Sequence, residues 1–192
     1  MSSQLNSRLS PEEYLAFERH SETRHEYIDG ELFAMSGASE EHNQIVVNLG
    51  REISTQFKGR PCKVYTNDMR VRVAGTPNYV YPDVVALCEP VRLEDKELDT
   101  LVNPNLIIEV PSSTTEAYDR GEKFEYCRRI ETLKEYVLVS QDKPHVEQFS
   151  RQPDGQWLFA TRSGVETFIE LASVDCRISL AEIYDKVEFT NP

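Results

Sequence analysis

Two acidic residues stand inside otherwise apolar runs. Asp83 interrupts Tyr79-Val80-Tyr81-Pro82-Asp83-Val84-Val85-Ala86-Leu87, and Glu109 interrupts Leu106-Ile107-Ile108-Glu109-Val110. An ionised carboxylate in a central strand is costly unless it is paired or binds a cation. Two such acids on strands able to lie side by side suggest one shared divalent ion. Oxygen ligands favour Mg²⁺ or Mn²⁺ over zinc. A third residue, Lys123, follows on a helical stretch, where Asp119, Lys123 and Cys127 recur every four positions and share a face, with Tyr126 beside it. An ammonium near the acids could orient an attacking water or neutralise phosphate charge. Each residue also has an ordinary structural alternative. Asp83 can begin a turn, Glu109 can pair with Arg72 or Lys123, and Lys123 can pair with Asp119 along its own helix.

The elements that must position these groups are legible in outline. Ser10-Pro11-Glu12-Glu13 reads as a capped helix start, with a helix over about 10–19. Asp29-Gly30 between two alternating runs predicts a hairpin. Ser39 caps a helix over about 40–57, whose stripe is Ile45, Leu49, Ile53 and Phe57, widened by Val46. Strand-like runs cover Lys63–Val73, Tyr79–Leu87 and Leu106–Val110, and Pro90–Pro104 reads as a charged loop. Pro82 cannot donate a ladder hydrogen bond, so it marks an edge, a bulge or a strand start. Ser113-x-x-Glu116 matches a capping box opening a helix to about Arg129. Residues 135–140, 145–150 and 156–161 read as an antiparallel meander, and a short helix at about 180–185 follows. This order predicts a mixed α/β (α+β) fold, a central mixed sheet flanked by helices, not a doubly wound one. The expected organisation is one domain over 1–192: N-terminal helix and hairpin 10–35, core 39–150, C-terminal strands and helix 151–192.

Composition bounds the function classes. The formal net charge is −12, which sits awkwardly with phosphate binding. The charge is uneven, however. Residues 1–42 hold three basic and nine acidic side chains, whereas 51–75 hold six basic and two acidic. One face can be basic while the whole is acidic, or the charge can be ordinary solvated surface. Cys62, Cys88, Cys127 and Cys176 form no CxxC pair, which argues against a zinc knuckle and predicts free, mostly buried thiols. No run is long and apolar enough to span a membrane, and Met1–Ser10 lacks the order of a signal peptide. A cytoplasmic protein without a membrane partner is expected.

The ordered set of motifs resembles the PD-(D/E)XK restriction-endonuclease superfamily, and within it the Uma-two family of restriction-endonuclease-like proteins. The matching stretches are Glu26–Leu32, His42, Tyr81-Pro82-Asp83-Val84-Val85, Asn103–Val110, Ser112–Lys123 and Glu135–Val139. The resemblance covers nearly the whole chain and implies a restriction-endonuclease-like core. It implies that Asp83 and Glu109 bind the metal, with the backbone carbonyl of Val110. The superfamily lysine normally lies two residues past the second acid, where this chain has Pro111. The branch resembles one in which that lysine has moved to the following helix, at Lys123. The resemblance also implies that His42 is a ligand or orients one, the ordinary alternative being a surface residue near a helix start, while Asp68, on the strand before the motif, could either support the site or sit in a turn or bulge of a hairpin. The implied activity is Mg²⁺- or Mn²⁺-dependent hydrolysis of phosphodiester bonds in nucleic acid, DNA first. A homodimer would suit cleavage of both strands of a duplex. The competing reading is a catalytically degenerate nuclease fold that binds DNA or protein, which the acidic net charge and Pro111 favour. The Ser112–Thr115 cluster lacks a nucleophile elbow and is better read as helix capping.

Overall fold

A computed structural model describes residues 8–97 and 99–189. Most of Met1–Ser10, on which the absence of a leader was read, lies outside the described residues. The N-terminal helix α1 (Pro11–Glu18) carries the expected capping box, with Ser10 and Glu13 each accepting the other's backbone N–H. The hairpin β1 (His25–Ile28) and β2 (Glu31–Ala34) turns on Asp29 and Gly30. Their φ angles of 50° and 95° are those of the primed turn that twists with its strands. A Cβ on Gly30 would also stand 2.8 Å from Arg8 Cβ, so the position excludes other residues twice over. Helix α2 (Glu40–Gln56) starts from Ser39 and buries Ile45, Val46, Leu49 and Ile53. Each fully buried Ile or Leu there contributes about 1.5–3 kcal/mol.

The runs 63–73 and 79–87 are not single strands. They divide into β3 (Lys63–Thr66), β4 (Arg70–Arg72), β5 (Tyr79–Val80) and β6 (Val84–Leu87). Antiparallel pairing of β3 with β6 and of β4 with β5 makes one long hairpin. It bends at 67–69 and 81–83, so that its base and its tip lie in different sheets. Both bends have local causes. Asn67 adopts φ 56°, and Pro82 has no N–H to carry the ladder on.

The charged loop 90–104 contains a short strand, β7 (Thr100–Leu101), parallel to β4. Next come β8 (Leu106–Glu109), α3 (Glu116–Tyr118), a π-helical turn at Asp119–Lys123 and α4 (Phe124–Cys127). The capping box predicted at Ser113 does not form. The N-cap is Thr115, whose side chain makes no capping bond, while Ser112 Oγ accepts from Thr115 N at 3.2 Å. The meander is present as β9 (Glu135–Val139), β10 (His145–Arg151) and β11 (Trp157–Ser163). A hairpin not foreseen, β12 (Phe168–Leu171) with β13 (Cys176–Ser179), precedes α5 (Leu180–Ile183).

The result is a mixed α+β fold. A six-stranded sheet, β11-β10-β9-β8-β6-β3, is parallel only between β8 and β9. A five-stranded sheet runs β2-β1-β5-β4-β7. The period of two along the buried strands assigns each residue to a layer. Val84, Ala86, Leu106, Ile108, Val137 and Val139 pack with α2, α5 and the β12–β13 hairpin. Val85, Leu87, Ile107, Tyr136 and Leu138 face the other way, towards Phe124, Cys127 and the second sheet. Glu109, two residues past Ile107, falls on that second side.

The thiol expectation holds for two cysteines. Cys127 and Cys176 are free and buried. Cys62 and Cys88 instead form a disulfide. They extend the β3–β6 register beyond Lys63↔Leu87 and therefore stand opposite each other, a juxtaposition that linear spacing does not reveal. Among the described residues, no helix is long and apolar enough to cross a membrane.

Candidate active site

The hairpin bend carries Asp83 to the point where the sheets diverge, beside the end of β8. Asp83 Oδ2 accepts the Val110 N–H at 2.7 Å, and the Asp83 N–H points at Glu109 Oε2 at 3.4 Å. From α2, His42 reaches the same place. Its Nε2 lies 3.2 Å from Asp83 Oδ1 and its Nδ1 3.0 Å from the Val110 carbonyl. Both partners are acceptors, so a protonated ring would serve the Val110 carbonyl through Nδ1 and the Asp83 carboxylate through Nε2. Burial disfavours that charge, but the Asp83 carboxylate and the Val110 carbonyl outweigh it and move the His42 pKa upward.

Lys123 enters from the opposite wall. The π-helical turn places both Asp119 and Lys123 inward, and the Asp119 carbonyl is pinned by Tyr136 OH at 2.8 Å. Such turns are frequent at functional sites. Lys123 Nζ lies 2.9 Å from Glu109 Oε1, 2.9 Å from Glu26 Oε1 and 3.6 Å from Asp119 Oδ1. The ammonium is buried, which opposes its charge, yet Glu109, Glu26 and Asp119 together hold it protonated, well above the ordinary lysine range. Glu109 shifts the same way for the opposite reason. Burial raises its pKa well above the usual carboxylate value, Lys123 opposes this, and Asp83, Asp119 and Glu26 reinforce it. Asp119 is likewise raised, chiefly by burial.

The structure thus brings together Asp83, Glu109, Val110, Lys123 and His42. It does not bring Asp68 to them. That side chain is 78 % exposed and paired with Arg24 at 3.4 Å. Two members were not singled out from sequence. The sequence places Asp119 only as a neighbour on the Lys123 face and a possible partner of Lys123 along the helix. Glu26 sits in an alternating strand where a charge ordinarily points to solvent. Its carboxylate instead accepts from Tyr118 OH and from the Tyr81 N–H, both at 3.1 Å. The available signal was its place in Glu26-Tyr27-Ile28-Asp29-Gly30, one of the stretches that carry the family resemblance.

Four carboxylates (Glu26, Asp83, Glu109, Asp119) therefore share two cations, Lys123 and His42. Glu109 Oε1 is buried and, although close to Lys123, makes no hydrogen bond. Asp83, Glu109 and the Val110 carbonyl are hard oxygen donors of the kind Mg²⁺ and Mn²⁺ take. The donor set and the surplus of negative charge fit such an ion. Among the described residues, no three His, Cys, Asp or Glu side chains are already converged as a ligand cluster.

Comparison with known proteins bears on the family and the fold. Two uncharacterized proteins of Synechocystis sp. are each 34 % identical to the chain. One, slr1290, matches over 182 residues, 95 % of this chain and 94 % of its own length. The other, sll1609, matches over 164 residues, 85 % and 93 %. A crystal structure from Anabaena variabilis, described as "a putative nuclease belonging to DUF820", superposes with a TM-score of 0.76 at 15 % identity. It covers 92 % of this chain and 97 % of that one, and so shares the fold. The Uma2 family model, described as "Putative restriction endonuclease", matches residues 11–181, and the chain belongs to that family.

Proposed function

We propose that the chain is a divalent-metal-dependent nuclease that hydrolyses phosphodiester bonds in DNA. The observation that carries this reading is the convergence of Asp83, Glu109 and the Val110 carbonyl with a buried, charged lysine in a cluster short of positive charge. Asp83, Glu109 and Val110 would hold Mg²⁺ or Mn²⁺, which when bound polarises a phosphate and lowers the pKa of a water ligand. The rest belongs to the chain itself. Glu26 and Asp119 hold the Lys123 ammonium against Glu109, where a fixed positive charge steadies the negative charge that builds on an attacked phosphodiester. Tyr118 and the Tyr81 N–H hold Glu26 in turn. His42 orients Asp83 and the Val110 carbonyl from the far side.

The test is cleavage of plasmid and of single-stranded DNA with and without Mn²⁺. Asp83→Asn and Glu109→Gln should each lower the rate about 1000-fold or more, corresponding to several kcal/mol of lost transition-state stabilisation. Unchanged cleavage by either purified, folded variant would sink the assignment. A second reading, a nuclease fold that only binds its partner, is favoured because no three His, Cys, Asp or Glu side chains converge as a ligand cluster among the described residues. It requires that Mn²⁺ show no affinity dependent on Asp83 and Glu109, which calorimetry on the same variants decides.

A further inference from the structure

The hairpin β1–β2 does more than supply Glu26. Alternation along β1 puts Arg24, Glu26 and Ile28 on one face. Ile28 lies in the core beside Val71, Val85 and Phe124, which identifies that face as the one turned towards the candidate site. Tyr27 faces the other way, against Tyr14 and Tyr79. Cross-strand partners share a face. Phe33 pairs with Glu26, and Met35, whose N–H donates to the Arg24 carbonyl at 2.8 Å, stands opposite Arg24. Yet Phe33 is 51 % exposed and Met35 38 %. Two large apolar side chains thus stand open on the sheet edge, next to the buried charge cluster.

Their neighbours narrow what can cover them. Arg24, 44 % exposed, reaches towards the hairpin bend and pairs loosely with the open Asp68. The next residue back, Asn67, donates its N–H to the Asp83 carbonyl at 3.0 Å. An exposed ion pair of this kind is weak and readily exchanged, so the guanidinium can take a phosphate oxygen. Glu31, exposed and opposite Ile28, repels phosphate from the other end of the strand. A narrow apolar step with a cation on one side and an anion on the other fits one nucleotide, not the broad apolar centre of a protein interface.

We propose that Phe33 and Met35 form a stacking platform for a nucleobase adjoining the scissile phosphate, with Arg24 on that nucleotide's phosphate. The preferred substrate is then single-stranded or locally unpaired nucleic acid, because a base paired within a duplex has no free face to offer. Stacking on aromatic side chains is the usual way proteins hold unpaired strands. The proposal rests on the nuclease reading of the same site and names its substrate class.

The test uses the full chain with Phe33→Trp in a Trp157→Phe background, since Trp157 is the chain's only tryptophan. Indole emission is followed in EDTA while a short single-stranded oligodeoxynucleotide, its annealed duplex or an abasic version is added. The single strand should quench the emission. The duplex and the abasic strand should do so at least about tenfold more weakly. Phe33→Ala should bind the single strand about tenfold less tightly, and Arg24→Gln should flatten the salt dependence. Equal quenching by duplex and single strand, or unchanged binding by Phe33→Ala, overturns the platform. So does an emission that changes with protein concentration alone, which would mean that a second copy covers Phe33. Mn²⁺-dependent cleavage by the unaltered chain is measured in parallel. Quenching without cleavage keeps the platform and removes the nuclease, cleavage indifferent to Phe33→Ala does the reverse, and the absence of both removes both.

Discussion

Two of the buried polar clusters among the described residues are built differently. Around α1, Arg70 is enclosed by Asp99 at 2.9 Å, Thr100 Oγ1 at 2.9 Å and Tyr81 OH at 3.0 Å. Arg19 joins Asp95 and Asp99 from outside, at 2.5 and 2.9 Å. Two arginines meet two aspartates. Glu18 nearby accepts from the His25 N–H and from Tyr81 OH, and contacts His25 Nδ1. Arg19 drives the Asp99 pKa well below its ordinary value, against the effect of burial. The cluster at the sheet fork is the reverse, with four carboxylates against two cations and Glu109 pushed upward. A cluster closer to balance, with two arginines against Asp95, Asp99 and Glu18, fastens α1 to the sheet. An unbalanced one leaves buried negative charge in excess of the positive groups around it. Tyr81 joins the two, since its hydroxyl donates to Glu18 and its N–H to Glu26.

The sharpest way to break this contrast is to remove the one lysine of the fork cluster. Lys123→Met leaves buried carboxylates without their ammonium and should cost about 3–5 kcal/mol of stability, read by urea denaturation. Adding Glu109→Gln should restore part of that loss, because the two residues share one interaction. A full, additive loss would show that the carboxylates do not depend on Lys123. A smaller effect is expected from metal. At a hundredfold excess over its dissociation constant, Mn²⁺ should stabilise by about 2.7 kcal/mol, roughly 5–10 °C in melting temperature for a chain of this size. Asp83→Asn should abolish that shift and Asp99→Asn should leave it intact. Equal shifts in both variants would erase the distinction between the clusters. The smallest effect is acid sensitivity. Asp99 binds its proton less readily folded than unfolded, so its contribution is present above the unfolded value, near 4, and fades as pH falls below it. Partial solvent exposure screens the effect. Asp99→Asn should therefore be less stable than the parent at neutral pH and converge with it in acid, and parallel stability curves would count against the pairing.

Asp83 and Glu109 were legible because a charge inside an apolar run is conspicuous, whereas Lys123 rested mainly on the family resemblance, helical spacing only placing it on one face with Asp119. Glu26 was not, since an acid in an alternating hairpin looks like a solvated one until the hairpin is laid against the Asp119–Lys123 turn. The partition of 63–87 between two sheets was half visible. Pro82 announced a break, but nothing local says that the chain changes layers there. The Cys62–Cys88 bridge depends on strand register, which two separated cysteines do not disclose. The capping box at Ser113 failed because Ser112 and Thr115 satisfy one another first. The hairpin at 168–179 was missed because Phe168, though apolar, faces solvent, so the regular in-out alternation of its first strand does not show as alternating polarity in the sequence.

The bent hairpin also has a mechanical meaning. Its two strands cross between the layers only at 67–69 and 81–83, while the Cys62–Cys88 bridge clasps its base. If one sheet rocked against the other about that crossing, points near it would travel little and points far from it most. Asp83, at the bend, would then keep its place beside Val110 better than β2, at the outer edge of its sheet, would keep its own.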